Sequence, residues 1–181
     1  MAATEPAQIR AAAAKEEPSH RRIIRSAAGG RAASAVTLPY MLALPPAGYG
    51  VLTTTGRKSG KTRRKCLRAI RREEVVYLSM LRPPIVAIES PSIVSAWVLN
   101  LRANPAVQLR IRGGTFAGVA REVSDEAELG EAREAFCETV VPFDYVSGNL
   151  HLRGIPSRAK VLDFNRYWFD TGIPLVVELK P

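Results

Sequence analysis

The feature that most constrains the fold is a hairpin pattern at residues 106–123. The stretch AVQLRIR places Val107, Leu109 and Ile111 on one face, which is the two-residue period of a half-buried strand. Gly113-Gly114 then reads as a two-residue turn, and TFAGVAREV as the returning strand. Strands joined by so short a turn are antiparallel, whereas a parallel pair needs a long crossover. We therefore expect a sheet built from hairpins.

The remaining pattern predicts an α+β fold with about six mostly antiparallel strands and interleaved helices. Hairpins without crossovers favour a barrel or a strongly curved sheet. The length of 181 residues suits one domain, which we place at residues 36–181. Residues 1–35 are Ala-rich and Arg-bearing and predict a mobile or partly helical arm. The other predicted strands are 49–55, 62–70, 75–80 and 173–179; the predicted helices start at Ser90-Pro91 and Asp125 and span 157–170.

The charge of the chain is concentrated in one place. The net charge is +9, and nine basic residues with no acidic one lie between Arg57 and Arg72. A local excess of this kind indicates a discrete anionic partner. The chain has two cysteines and two histidines, without a C-x-x-C pair, so we expect free thiols and no metal site.

The basic run begins with TGRKSGKTR (55–63), which is similar to a nucleotide-triphosphate loop but is one residue short. Such a loop must lead into a helix, whereas the residues that follow here alternate as a strand. A second interpretation is an anion clamp. Gly56 and Gly60 permit a tight turn with exposed amides, Ser59 adds a hydroxyl, and the charge comes from Arg57, Lys58, Lys61 and Arg63. A solvated hairpin tip fits the composition equally well.

A second stretch, AWVLNLRANP (96–105), carries an aromatic residue, two amides and an arginine. Taken alone, it reads as a core Trp97, a satisfied polar Asn100 and a capping Asn104. Together with the basic loop, however, it resembles the deazaflavin (coenzyme F-420)-dependent nitroreductase-like oxidoreductases of actinobacteria. These proteins share the split β-barrel fold of the FMN-binding, pyridoxamine-oxidase-like proteins. The resemblance covers about Gly48 to Val123 and the terminal IPLVVEL.

The resemblance implies a set of cofactor-binding residues. The loop would hold the phosphate and acidic tail of the cofactor, and the Trp97 helix would lie beside it. Arg82 stands near a stretch that in the family approaches the cofactor ring, and Cys66 stands where members often have proline. The implied set is Arg57, Lys58, Ser59, Gly60, Lys61, Arg63, Cys66, Leu67, Ser79, Arg82, Trp97, Asn100, Arg102 and Asn104.

The resemblance also implies a function: hydride transfer from reduced coenzyme F-420 to a small lipophilic acceptor such as a quinone, an enone or a nitroaromatic compound. Tyr145 and Tyr40 are candidate proton donors. An FMN-dependent reductase, or a non-enzymatic binder of the cofactor or of a fatty acid, is the alternative. Nucleic-acid binding is not expected, because no aromatic residue for base stacking lies in the basic run.

Expected partners and location follow from the same features. Split-barrel relatives are commonly dimers, which implies a homodimer here. Residues 32–55 are uncharged, but Pro39, Pro45 and Pro46 argue against a membrane-spanning helix. A cytoplasmic protein is therefore expected. The arginine-bearing arm is a candidate for peripheral contact with anionic lipid at the inner face of the membrane.

Overall fold

The computed structural model describes residues 27–82 and 90–180, together with Lys15, His20 and Ala87. Five helices and seven strands have bounds within these residues. The helices are α1 (Ala27–Ala43), α2 (Ala96–Ala103), α3 (Glu126–Glu138), α4 (Pro142–His151) and α5 (Arg158–Thr171). The strands are β1 (Tyr49–Thr55), β2 (Thr62–Arg68), β3 (Ile70–Arg72), β4 (Val75–Ser79), β5 (Ala106–Ile111), β6 (Gly114–Glu122) and β7 (Pro174–Leu179).

The strands form one antiparallel sheet in the order β2-β1-β5-β6-β7-β4-β3. Strands β2 and β3 are its two edges, yet only Ala69 separates them in the chain. Consecutive Cα atoms are about 3.8 Å apart, so the edges must come together and the sheet must curl. This geometry confirms the split-barrel class. The predicted strand 62–70 is two strands, which raises the count from six to seven.

The interior of the barrel is filled by aliphatic side chains. Helix α2 contributes Val98 and Leu101 to this cluster, where they meet Leu52, Leu78 and Leu109. Outside the barrel, α3 and α5 pack against β4 and β7 through a second cluster that contains Phe136, Phe164 and Trp168. A third cluster, around Met41, Tyr49 and Val51, lies beneath α1 and the start of α4. Burial of these apolar surfaces supplies most of the free energy of folding.

Several predicted elements are confirmed. The β1–β2 and β5–β6 hairpins form. The Asp125 carboxylate accepts a hydrogen bond from the amide of Glu128 at 2.9 Å, which caps α3. Helix α5 begins after Ser157, whose side chain caps it, and ends before Gly172.

Two predicted boundaries were wrong. Helix α2 starts after Ser95 rather than at Ser90-Pro91, because Val94 packs against the barrel cluster and the Ser95 amide meets the Met80 sulfur at 3.1 Å. These tertiary contacts outweigh the local capping preference. The β5–β6 turn is formed by Arg112 and Gly113, since Gly114 already pairs with Ile111. Gly113, with a φ of +99°, supplies the left-handed residue of this turn.

Helix α4 was not predicted. Helix α1 overlaps the arm at 1–35 that we predicted to be mobile or partly helical, but it continues through Pro39 and crosses the boundary that we placed at residue 35. Apart from Lys15, His20 and residues 27–35, the predicted arm lies outside the described residues, so the domain division stays a prediction. None of the described helices has the length and hydropathy needed to cross a bilayer.

Candidate functional site

The basic loop is a tight turn between β1 and β2. The amide of Gly56 donates to the carbonyl of Lys61 at 2.9 Å, and the amides of Ser59 and Gly60 donate to the carbonyl of Gly56 at 3.1 and 2.7 Å. The Lys61 amide meets Ser59 Oγ at 3.4 Å. Gly60 has a φ of +65°, which explains a glycine at this position.

These contacts correct one part of the anion-clamp hypothesis. We expected exposed amides to face the anion, but the amides of Gly56, Ser59, Gly60 and Lys61 are bonded within the loop. They fix the turn instead. An anion at this loop would therefore be held mainly by side chains.

The loop presents three cationic side chains to solvent. Lys58, Lys61 and Arg63 are exposed, and none has an acidic partner among the residues that the structure describes. Unpaired charges of the same sign on one short hairpin repel each other. Bound anionic groups would relieve this repulsion through charge-assisted hydrogen bonds.

Asn100 joins the loop to helix α2. Its Oδ1 atom accepts a hydrogen bond from the amide of Arg57 at 3.1 Å and lies 3.5 Å from Arg57 Nη1. Its Nδ2 atom donates to Thr54 Oγ1 at 3.4 Å. Asn100 is buried, so both ends of its amide are satisfied within the fold. The two motifs that carried the resemblance are thus in direct contact.

The other residues of α2 have partners within the fold. The Trp97 ring is half-buried against the barrel cluster. The Arg102 guanidinium donates to Glu122 at 2.6 Å, and Asn104 Oδ1 accepts from the amide of Ala106 at 3.1 Å. These contacts agree with the interpretation of Trp97 as a core residue and Asn104 as a cap.

The implied cofactor-binding residues on β2, on β4 and just after β4 mostly contact other parts of the fold. Leu67 packs against the barrel cluster. The Cys66 thiol donates to the carbonyl of Ser34 at 3.6 Å, and burial raises its pKa. Ser79 Oγ donates to the carbonyl of Trp168 at 3.0 Å. Arg82 is buried and donates to the carbonyl of Thr171 at 2.5 Å. Ser79 and Arg82 therefore connect the barrel to α5, and Arg82 does not present an exposed charge.

The two candidate proton donors lie on α1 and α4. The Tyr40 ring stacks on Phe143, with ring centroids 6.3 Å apart, and Tyr145 is two residues further along α4. Both tyrosines are exposed. The structure thus places them on adjoining helices with their side chains accessible to solvent.

Sequence reasoning missed a buried ionic network at the seam between β2 and β3. Arg68 Nε donates to Asp144 Oδ1 at 3.1 Å, and both side chains are 2% exposed. The same guanidinium donates to the carbonyls of Phe136 and Thr139. Tyr49 donates its hydroxyl to Asp144 Oδ1 at 2.9 Å, and burial raises the Tyr49 pKa. No local pattern could have paired residues so far apart in the chain.

A curled antiparallel sheet with a cationic hairpin that lacks an acidic partner among the described residues defines a half-barrel protein suited to an acidic ligand. Residues 31–148 match the family model described as F420H(2)-dependent quinone reductase. The chain therefore belongs to this family, and it is an oxidoreductase that uses coenzyme F-420. The resemblance seen in the two motifs is confirmed by this match.

Solved structures with a similar fold were also found. One described as a domain-swapped dimer is 20% identical, covers 72% of this chain and 80% of its own, and has a TM-score of 0.47. An F420-H2-dependent reductase is 20% identical over 72% of this chain and 94% of its own, with a TM-score of 0.45. A Clostridium acetobutylicum protein of the pyridoxinephosphate oxidase family is 15% identical over 74% of this chain and 75% of its own, with a TM-score of 0.42. Among the curated proteins, none matches the sequence.

Proposed function

We propose that this protein reduces a small lipophilic quinone with hydride from reduced coenzyme F-420, and that its basic hairpin binds the acidic tail of the cofactor. The observation that carries the proposal is the contact between the two motifs. Asn100 on α2 holds the backbone of the loop at Arg57, so the cationic side chains are presented from a fixed turn.

The donor set suits the cofactor. Lys58, Lys61 and Arg63 are unpaired with any acidic side chain in the described part of the chain, and they are solvent-exposed. Phosphate and carboxylate groups form charge-assisted hydrogen bonds with such side chains. Arg57 fits less directly, because its guanidinium lies near Asn100. When bound, the cofactor supplies the hydride, and the protein supplies binding and orientation.

The protein's own contribution to the acceptor site is proposed to come from α1 and α4. Tyr40 and Tyr145 are both exposed on these adjoining helices. A hydroxyl near the acceptor can donate a proton as the hydride arrives. The quinone is favoured over an enone or a nitroaromatic compound because the family description names quinone reduction.

The test is an anaerobic turnover assay with reduced F-420 and one acceptor of each class. We expect the largest kcat/KM for the quinone. Cofactor binding without oxidation by any acceptor would favour the alternative of a non-enzymatic carrier. Parallel titrations with F-420 and with FMN decide the cofactor, and tighter binding of FMN would overturn the proposal.

We also propose a homodimer formed through the outer face of β5 and β6. Ala117 and Val119 are exposed there, and Val119 lies opposite Ala106. An uncovered sheet face of this kind is a candidate interface. Light scattering should give twice the monomer mass of 19.7 kDa, and Val119→Glu should lower the measured mass to that of the monomer. A monomer in the unmodified protein at micromolar concentration would reject the dimer.

A further inference from the structure

Helix α1 exposes an apolar face to solvent. A helix on the surface of a globular protein normally exposes its polar side and buries its apolar side. Here the inward side includes Ser34, which bonds to Lys65 and Cys66. Among the residues whose side chains the structure describes, the outward side is uncharged. Val36 and Tyr40 are 82% and 49% exposed, and Leu44, directly after the helix, is 69% exposed. The exposed residues at this face are Ala32, Ala35, Val36, Pro39, Tyr40, Ala43 and Leu44.

A second exposed apolar segment adjoins the first. On α4 and the loop that follows it, Val146 and Leu150 are exposed, and Ile155 is 87% exposed. Two contacts connect this segment to the N-terminal part of the chain: the stacking of Tyr40 on Phe143 and the β-bridge between His20 and Leu152. We call Val36, Tyr40, Leu44, Val146, Leu150 and Ile155 the apolar face.

The two sequence segments that carry the apolar face contain basic residues and no acidic ones. Residues 18–56 contain four arginines and no acidic residue, and residues 145–162 contain Arg153, Arg158 and Lys160 and no acidic residue. Seven of the 17 acidic residues lie instead at 122–138, on β6, α3 and their connection. The segments that carry the apolar face are thus basic, whereas a large share of the acidic residues lies at 122–138.

We propose that the apolar face docks on the surface of an anionic lipid bilayer. Exposed apolar side chains bounded by basic ones are the features that hold a protein in the interface of such a membrane, and tyrosine is enriched at that depth. This deepens the proposed function, since a lipophilic quinone is dissolved in the bilayer, but lipid binding is measured without turnover.

A second copy of the chain is a less suitable occupant. Pairing the apolar face with itself would bring the basic segments around Arg153 and Arg158 of two copies together, and like charges across an interface oppose association. A bilayer with anionic headgroups complements the same charges.

The experiment is sedimentation of the full chain with vesicles, without cofactor or acceptor. We expect binding to phosphatidylglycerol–phosphatidylcholine vesicles and much weaker binding to phosphatidylcholine alone. The variant Val36→Glu/Leu44→Glu/Ile155→Glu should weaken the binding at least about tenfold. Its control, Ile93→Glu/Ser124→Glu/Leu129→Glu, adds the same charge at exposed positions outside both the apolar face and the β5–β6 face, and it should bind more tightly than the test variant. Circular dichroism verifies that each variant is folded.

A second variant tests the basic residues that lie near the apolar face. Arg153→Gln/Arg158→Gln should weaken binding to the anionic vesicles by about tenfold or more at low salt, and the difference should shrink at high salt. Absence of binding by the unmodified chain, or equal binding by the test and control variants, overturns the proposal. So does a dimer in the unmodified chain that the apolar-face variant converts to a monomer while neither binds vesicles. Failure here leaves the quinone assay unaffected, and failure of that assay leaves vesicle binding intact.

Discussion

Asn100 Oδ1 accepts a hydrogen bond from the backbone amide of Arg57 at 3.1 Å, although 43 residues separate them in the chain. The Nδ2 atom of Asn100 also donates a hydrogen bond to Thr54 Oγ1, near the end of β1. One buried side chain therefore links the helix of one motif to the turn of the other. Asn100 thus holds the basic loop against α2, while the hydrogen bonds within the loop fix its turn.

Replacing Asn100 by Ala should loosen the loop and destabilise the protein. The Arg57 amide and the buried Thr54 hydroxyl would each lose a hydrogen bond, and a typical hydrogen bond contributes about 0.5–1.5 kcal/mol. We expect a lower free energy of unfolding in urea and weaker F-420 binding by calorimetry. Asn104→Ala is the control, since it removes only the exposed bond to Ala106 and should leave cofactor affinity nearly unchanged. Equal affinities for the two variants would contradict the positioning role of Asn100.

The cationic side chains should account for much of the cofactor affinity. Exposed ionic contacts contribute roughly 1 kcal/mol each, so Lys58→Ala/Lys61→Ala/Arg63→Ala is expected to weaken F-420 binding by about 100-fold. The loss should be smaller at high salt, because salt already screens these contacts. Calorimetry at two ionic strengths makes the measurement, with Arg112→Ala at the other hairpin turn as the control. An unchanged dissociation constant at low salt would contradict the anion-clamp hypothesis.

Local pattern predicted the hairpins because their alternation and their turns lie within a few residues. The same approach did not find α1 beyond residue 35. Its inward side combines Leu38, Met41 and Leu42 with the half-buried Ser34 and Thr37. Because Val36 and Tyr40 face solvent, no single apolar stripe marks the buried side. A helix of this kind cannot be recognised by assuming that its apolar side is buried.

Long-range contacts were beyond sequence reasoning for a different reason. Arg68 belonged to a run of nine basic residues, and nothing in that run marks it as buried. Only the packing of α4 against the sheet brings it to Asp144, 76 residues away. The family motifs, by contrast, were found because each is a contiguous stretch. The sequence thus identified the loop and the helix, but not that Asn100 joins them.

Removing one partner of the Arg68–Asp144 pair should lower the free energy of unfolding more than replacing both partners by apolar residues. Asp144→Ala would leave the Arg68 charge buried without its partner, which typically costs about 3–5 kcal/mol. The double replacement Arg68→Met/Asp144→Leu should cost less, because no charge remains buried. Urea unfolding of the single and double variants measures this difference. The control is Glu122→Ala, which breaks an exposed pair with Arg102 and should cost less than about 1 kcal/mol. Equal costs for the single and double variants would contradict this assignment.

His151 should make the stability of the fold depend on pH below neutrality. Its ring packs against Phe164 and Trp168, and burial, with a smaller contribution from His20, lowers its pKa to about 4. The unfolded chain, with a pKa near 6.5, therefore binds a proton that the folded chain does not. Stability should be full above about pH 6.5, fall as the pH drops toward 4, and change no further through this group below that value. The shift corresponds to at most about 3 kcal/mol.

The comparison that isolates this effect is between the unmodified chain and His151→Phe, which keeps an aromatic ring against Phe164 but cannot be protonated. Urea midpoints at pH 7 and pH 4.5 should fall further in the unmodified chain than in the variant. Acidic side chains titrate equally in both proteins and cancel in the difference. If both proteins lose the same stability between these pH values, His151 is not the group whose protonation opposes folding.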